Sequence, residues 1–298
     1  MNTLTRTFAQ ATLAAAALAI PFSLSAREVL YETSFESAEG FTANTYDADT
    51  AGSSVAVGDS WSLLAGIAEV VASGETPDSS AQIVRLRDGA QLDRDLSGEV
   101  ATSDNEVFVE GYFRGAGSGV SLADASYPAD QSASAIVHFS SADGIQLLDG
   151  NGAGSGTPVN TSVALGTANE DTWYKLTLFL DFTSQEWDAY VMEEGSATVT
   201  KLNTQAPLGF RDNVTSLNGF RNLAQTASEF DGFRVVKPIL GDANGDSLKD
   251  GADVVRILEF ALNDVTDPIL SYNADYNGVG GVTEDDAMIL ASDLTTGN

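Results

Sequence analysis

The chain has 298 residues, 43 of them acidic against 14 basic, and a formal net charge of −29. So negative a composition lacks the basic patches that nucleic acid and anionic membranes require, and it favours cations. Cysteine is absent, which excludes a disulfide framework, a thiolate nucleophile and a cysteine-ligated zinc.

Taken in order, residues 1–26 read as a secretory signal. Arg6 supplies a basic start, residues 11–20 form an apolar run too short to span a bilayer, and PFSLSA at 21–26 offers cleavage after Ser25 or Ala26. The expected location is secreted or at the cell surface. No later run is long and apolar enough to predict a transmembrane helix.

Residues 27–237 predict an all-β domain. Strand-like segments fall at 29–35, 67–72, 82–87, 106–114, 134–140, 145–149, 173–182, 186–192, 198–202 and 230–236, separated by Gly, Ser, Asn and Asp clusters. Regular short strands with such turns imply a sandwich or barrel. Segments 115–130 and 150–161, rich in Gly and Ser, read as long rim loops. The clearest pair is 173–182 with 186–192, joined by a short turn. Leu176, Leu178, Leu180 and Phe182 share one face, and Lys175, Thr177, Phe179 and Asp181 share the other. Across the turn, Trp187, Ala189 and Val191 oppose Glu186, Asp188, Tyr190 and Met192. The polar face carries a candidate ligand patch of Lys175, Phe179, Asp181, Asp188 and Tyr190, since aromatic rings stack on sugars and carboxylates bind hydroxyls; Glu110 and Tyr112 join it if their strand is adjacent. His138, the one histidine, reads as structural or exposed.

The W-x-x-L-T-L-x-x-D strand starting at Trp173, with the following x-W-D-x-Y-V strand, resembles the concanavalin A-like lectin/glucanase superfamily, including laminin-G-like modules. Tyr31–Glu36 and Phe230–Val235 fit its first and last strands. The resemblance implies a jelly-roll β-sandwich over 27–237 whose first and last strands are neighbours. Glucanases of this fold carry three carboxylates on one strand face; here Glu186 and Asp188 are followed on that face by Tyr190. Glycoside hydrolysis needs a pair of carboxyl groups flanking the bond, so the departure favours binding over catalysis.

Lys237-Pro238 marks the domain boundary, and the most informative stretch follows, GDANGDSLKDGAD at 241–253. Asp242, Asn244, Asp246, Asp250 and Asp253 occupy positions 1, 3, 5, 9 and 12 of a loop, and Leu248 at position 7 offers its backbone carbonyl. Calcium takes roughly six to eight oxygen ligands, and this is EF-hand-type spacing. A helical repeat follows in Val254, Val255, Ile257, Leu258, Ala261 and Leu262. The GD-x-N-x-D opening, closing Asp and single following helix resemble the dockerin family, whose members carry two such units. A second copy lies in 273–294, with Asp275, Asn277, Gly280, Gly281, Thr283 and Asp286 at positions 1, 3, 6, 7, 9 and 12. Val279 at position 5 cannot coordinate, so the second site is expected to be weaker. Another register starts at Asn273 and ends at Glu284; the first is preferred because Thr283 then caps a helix with Glu284, Asp285 and Asp286 in its first turn.

The resemblance over 238–298 implies calcium as cofactor and a cohesin-like partner. In the first copy it places the partner-binding face at Gly251, Ala252, Val255 and Arg256; in the second, positions 10 and 11 are Glu284 and Asp285. The favoured reading is a secreted, non-catalytic binding component of a polysaccharide-degrading or cell-surface system, with glycan or a surface ligand on the sandwich. The alternatives are a polysaccharide hydrolase or lyase, and a structural surface protein with a calcium-stapled tail.

Overall fold

The computed structural model describes residues 27–48, 54–73, 76–115, 117–125, 132–161, 163, 171–204, 206–224, 226–263 and 267–297. The expected signal segment lies outside the described residues.

The protein is mainly β. The strands are β1 (Arg27–Thr33), β2 (Asn44–Asp47), β3 (Val55–Gly58), β4 (Trp61–Ala72), β5 (Gln82–Asp95), β6 (Glu106–Gly115), β7 (Val137–Ser140) and β8 (Gly144–Gly150). They continue as β9 (Gly156–Asn160), β10 (Tyr174–Asp181), β11 (Glu186–Glu193), β12 (Val199–Lys201), β13 (Leu208–Gly209), β14 (Gly219–Ala224) and β15 (Ser228–Pro238). A large antiparallel sheet runs β12-β11-β10-β6-β15-β5-β4-β2, with β1 on β15, β13 on β11, β14 on β5 and β3 on β4; β7-β8-β9 form a small second sheet. First and last strands pair, Val29 opposite Val236 and Thr33 opposite Phe233.

Strands β4 and β5 are interrupted midway. Their register slips between Leu63 and Ala65 and again between Ala65 and Ile67. Gly66 takes φ +68°, and a Cβ there would meet Ala90 N at 2.4 Å, so no other residue fits. Facing it, Asp88 and Gly89 also have positive φ. Bulges of this kind bend strands and let them change layers. Tyr31 of β1 meets both of these strands: its hydroxyl accepts from Trp61 Nε1 at 2.7 Å and its ring lies 4.3 Å beneath the Arg94 guanidinium. Phe35, Trp61, Phe220, Phe230 and Phe233 then close the core with edge-on and tilted ring contacts.

The alternation expected around residue 180 holds. Leu180 pairs with Trp187 and Phe179 with Asp188; β6 lies on the other side of β10, with Glu110 opposite Thr177 and Tyr112 opposite Lys175. The inner face of β10 buries Tyr174, Leu176 and Leu180, and that of β11 buries Trp187, Ala189 and Val191. Strand β9 falls inside the expected loop 150–161, a difference from the sequence reading. Its polar residues pair with β8, Thr157 opposite Asp149 and Asn160 opposite Gln146.

Three helices follow β15: α1 (Gly251–Leu262), α2 (Pro268–Ala274) and α3 (Glu284–Thr296). α1 and α3 cross over a small core of Ala243, Ile257, Ala274, Ala287 and Leu290. Helix α2, not expected from the sequence, starts with Asp267 as cap and Pro268 in its first turn.

Candidate functional site

The two loops of the tail repeat with an offset of 33 residues: α3 begins at 284 against 251 for α1, and each helix opens with a reciprocal capping box. Asp253 Oδ1 accepts from Asn244 N at 3.0 Å and Oδ2 from Asp250 N at 2.8 Å. Asp286 repeats both bonds with Asn277 N at 2.9 Å and Thr283 N at 2.8 Å. Equivalent bonds at equivalent offsets align Asp242 with Asp275 and Asp253 with Asp286. Asn273, the start of the other register, instead accepts from Ile239 N and donates to the Asp242 carbonyl.

In the first loop, Asp242 Oδ1 accepts from Gly245 N at 2.9 Å and Asp246 N at 3.1 Å, and Oδ2 from Ser247 N at 2.9 Å. Asp242 and Asp253 are both fully buried, while Asp246, Leu248 and Asp250 are exposed and Asn244 is half-buried. Burial pushes the Asp242 carboxyl above its ordinary range against the pull of the loop amides, and the charge of Asp253 pushes the same way. Two buried carboxylates with no lysine or arginine among the described ion pairs form a donor set suited to a hard cation. The second loop is poorer. Asp275 Oδ1 accepts from Val279 N at 3.1 Å and Asp286 is buried, but Val279 stands in the row where the first loop has Asp246, and Gly281 is exposed. Among the described residues, no three His, Cys, Asp or Glu side chains gather as a ready-made metal group.

Gly251 and Ala252 are exposed at the start of α1, where Ala252 N donates to the Asp250 cap at 2.7 Å. Val255 is 58% exposed, and its repeat partner Met288 on α3 is 67% exposed. Arg256 pairs with Glu259 at 2.8 Å and stacks over Phe260.

On the outer face of the sheet, the residues of the candidate patch have partners within the chain. Tyr272 of α2 lies across this face, its ring centroid 4.9 Å from that of Phe179 and 5.8 Å from that of Phe108. Ile269 and Val236 complete this buried cluster. The neighbouring polar groups are also engaged. Lys175 pairs with Glu110 at 2.7 Å, and Asp181 accepts from the backbone of Thr183 and Ser184 in its own turn. Asp188 binds Lys201 at 2.9 Å and also accepts from Asn203, and Lys201 sits over the Tyr190 ring. The face alternated as expected, but alternation carries no information about what packs on it. Glu186 is exposed and Asp188 is held by a lysine, both on the face away from the interior.

The interior side holds a feature the sequence reading missed, a cleft of about 730 Å³. Its floor is Val109 and Phe113 of β6 with Tyr174, Leu176, Leu178 and Leu180 of β10; β7 stands on one side and β14 on another. Four arginines line it, Arg94, Arg114, Arg211 and Arg221, with Asp93 and Asp95 the carboxylates among its described lining. Each arginine meets an acid: Arg94 with Glu99 at 2.6 Å, Arg211 with Asp212 at 3.0 Å, Arg114 with Glu229, and Arg221 with Asp93 through two nitrogens. Asp95 accepts from Ser97, and those bonds hold its carboxyl below the usual range. His138, at the rim, has Nε2 2.9 Å from the Val120 carbonyl. The one signal available in sequence was indirect: these four make up a large share of only 14 basic residues, yet they lie far apart along the chain.

No family model matches the chain, and no curated protein matches it. Among solved structures, the catalytic domain of a glycoside hydrolase family 131 protein from Coprinopsis cinerea aligns with 70% of this chain and 94% of its own, at 10% identity and TM-score 0.35. A xylan β-1,4-xylosidase from Bacillus halodurans C-125 aligns with 64% of this chain and 38% of its own, at 14% identity and TM-score 0.35. A GH131 β-glucanase catalytic domain from Podospora anserina aligns with 56% of this chain and 78% of its own, at 12% identity and TM-score 0.27. At such scores the superpositions say nothing about what this chain binds or cleaves.

Proposed function

We propose that this chain is an exported, non-catalytic binding protein: a jelly-roll sandwich that takes a glycan or surface ligand in its interior cleft, and a dockerin-like tail that binds calcium and docks on a cohesin-like partner. The observation that carries the binding reading is the chemistry of the cleft. Its floor is apolar and aromatic, its walls offer four guanidinium groups with the carboxylates of Asp93 and Asp95, and its volume suits a ligand of several rings. Paired arginine and carboxylate groups present donors and acceptors side by side, as hydroxyls require. Asp93, held by Arg221, and Asp95, held by Ser97, also line this cleft, so a polysaccharide hydrolase is the alternative that the test must separate from binding. The test is a polysaccharide panel on the full chain, read by affinity electrophoresis and by release of reducing ends. Retardation without release supports binding. Release of reducing ends from any polymer sinks the non-catalytic reading in favour of a hydrolase, and unsaturated ends favour a lyase.

For the tail, the first loop holds the ion through Asp242, Asn244, Asp246, the Leu248 carbonyl, Asp250 and Asp253; the second offers Asp275, Asn277, the Gly281 carbonyl, Thr283 and Asp286. Calcium there neutralises carboxylates that otherwise repel one another. Calorimetry should show Asp242→Ala costing more affinity than Asp275→Ala, and two equal tight sites would overturn that ranking. The exposed Val255 and Met288 support a docking face on α1 and α3. Ala252→Asp is expected to abolish calcium-dependent capture of a cohesin-like partner, and Asp285→Ala to leave it intact.

A further inference from the structure

Helix α2 touches three things at once. Toward the sheet, Ile269 and Tyr272 seal Phe108, Phe179 and Val236. Toward the tail core, Ala274 packs with Ala243, Ile257, Ala287 and Leu290. Between them, the fully buried Asn273 acts as a clasp on the entrance to the first loop. Its carbonyl accepts from Gly241 N at 2.7 Å, its Oδ1 from Ile239 N at 3.1 Å, and its Nδ2 donates to the Asp242 carbonyl at 3.1 Å. Two residues on, Asp275 is both the end of α2 and the first donor of the second loop. The same short helix is thereby bonded to position 1 of both loops and is the cover of the outer aromatic face.

We propose that α2 is a metal-held strap: with cation in the loops it stays closed over Phe108 and Phe179, and on loss of the cation it lifts and exposes that face to water. The physical drive is the pair of buried carboxylates, Asp242 and Asp253. With a cation between them their burial is compensated; without it the loop relieves the repulsion by letting water in. Asp242 cannot move without its carbonyl, and that carbonyl is held by Asn273. On the sheet side α2 is held by Ile269 and Tyr272 against Phe108, Phe179 and Val236, by the Tyr272 hydroxyl toward Glu106 and by Asp267 near Arg234, so opening requires the strain at the loops to exceed that grip. The surface uncovered carries the rings of Phe108 and Phe179 beside Val236.

The strap rests on the calcium reading of the tail, and the experiment separates the two. Calcium binding to the full chain is measured by calorimetry. Hydrogen exchange of the α2 amides and binding of an apolar dye are followed in calcium and in chelator, with near-ultraviolet circular dichroism reporting the buried tryptophans. Chelation is expected to speed α2 exchange by about ten-fold or more and to raise dye fluorescence while the tryptophan signal persists. Asn273→Ala in saturating calcium is expected to give the same opening with calcium still bound. Calcium binding with α2 exchange unchanged by chelator overturns the strap and leaves the calcium reading intact. Absence of calcium binding overturns both. If Asn273→Ala does not fold, the chelation arm on the unaltered chain decides.

Discussion

In the strand-built body, Phe35, Trp61, Phe230 and Phe233 are sealed from water within one continuous apolar cluster. In the tail the corresponding cluster is Ala243, Ile257, Ala274, Ala287 and Leu290, while the carboxylates of Asp242, Asp253 and Asp286 are sealed just as completely. The body draws its stability from apolar area removed from water. A core as small as that of the tail supplies little, and buried charge subtracts from it. The tail therefore depends on something outside its own apolar side chains: packing of α2 on the sheet, and in the proposed reading a cation.

The comparison breaks most easily at the centre of the body. Trp61→Ala removes a fully buried ring that touches Phe35, Phe230 and Phe233 and donates to Tyr31. A loss of about 3–5 kcal/mol is expected in urea unfolding. Leu290→Ala, in the tail, is expected to leave that transition nearly unchanged and to melt α3 locally. A loss from Leu290→Ala equal to that from Trp61→Ala would show the two regions to be one cooperative unit.

Next comes Glu110, a buried acid in the body that is properly paired, unlike those of the tail. It accepts from Thr177 at 3.0 Å and pairs with Lys175 at 2.7 Å and with Arg234. Removing one partner of a buried pair leaves charge uncompensated, so Glu110→Gln should cost about 3–5 kcal/mol, read by the same unfolding experiment. Glu110 could be placed beside Tyr112 from the sequence, but not its partners: Arg234 lies 124 positions away and the period of a strand says nothing about its neighbour. The same limit explains the rest. Local spacing reached the loop donors, because Asp242 to Asp253 is contiguous, and it reached the β10–β11 hairpin, because a short turn fixes register. It did not reach α2, whose seven residues show less than two turns of pattern. Nor did it reach the cleft arginines, which come from β5, β6, β14 and the segment after β13.

Asp231 sharpens the comparison through pH. It is fully buried, accepting from Gly232 N at 2.8 Å and Ser80 Oγ at 3.2 Å. Burial first, and then the charge of Asp78, push its carboxyl up to about 8. Its ordinary value is 3.8, so between these two values the folded protein binds a proton that the unfolded chain has lost. Stability contributed by this group is thus greatest at low pH, falls as pH rises through that window, and levels off above about 8. Asp231→Asn should flatten the profile across the window, measured as denaturation midpoint against pH at fixed calcium. An unchanged slope would assign the dependence to other groups.

The smallest effect is expected from the tail's surface ion pair, which has the same chemistry as Arg234–Glu110 in a different setting. Arg256 and Glu259 are separated by one helical turn, meet at 2.8 Å, and keep 43% and 55% of their side chains exposed. Water and salt screen such a pair, and fixing two long side chains costs entropy, so its net contribution is about 0.2–0.5 kcal/mol. Arg256 also lies 4.3 Å from the Phe260 ring centroid, a contact that survives salt better than the ion pair does. Glu259→Gln therefore tests the ion pair alone. The loss should be within a few tenths of about 0.5 kcal/mol and should vanish at molar salt, whereas Glu110→Gln should remain costly there. A large, salt-resistant loss from Glu259→Gln would mean that α1 is buried against something in solution, which is what a docked partner on the Val255 face would produce.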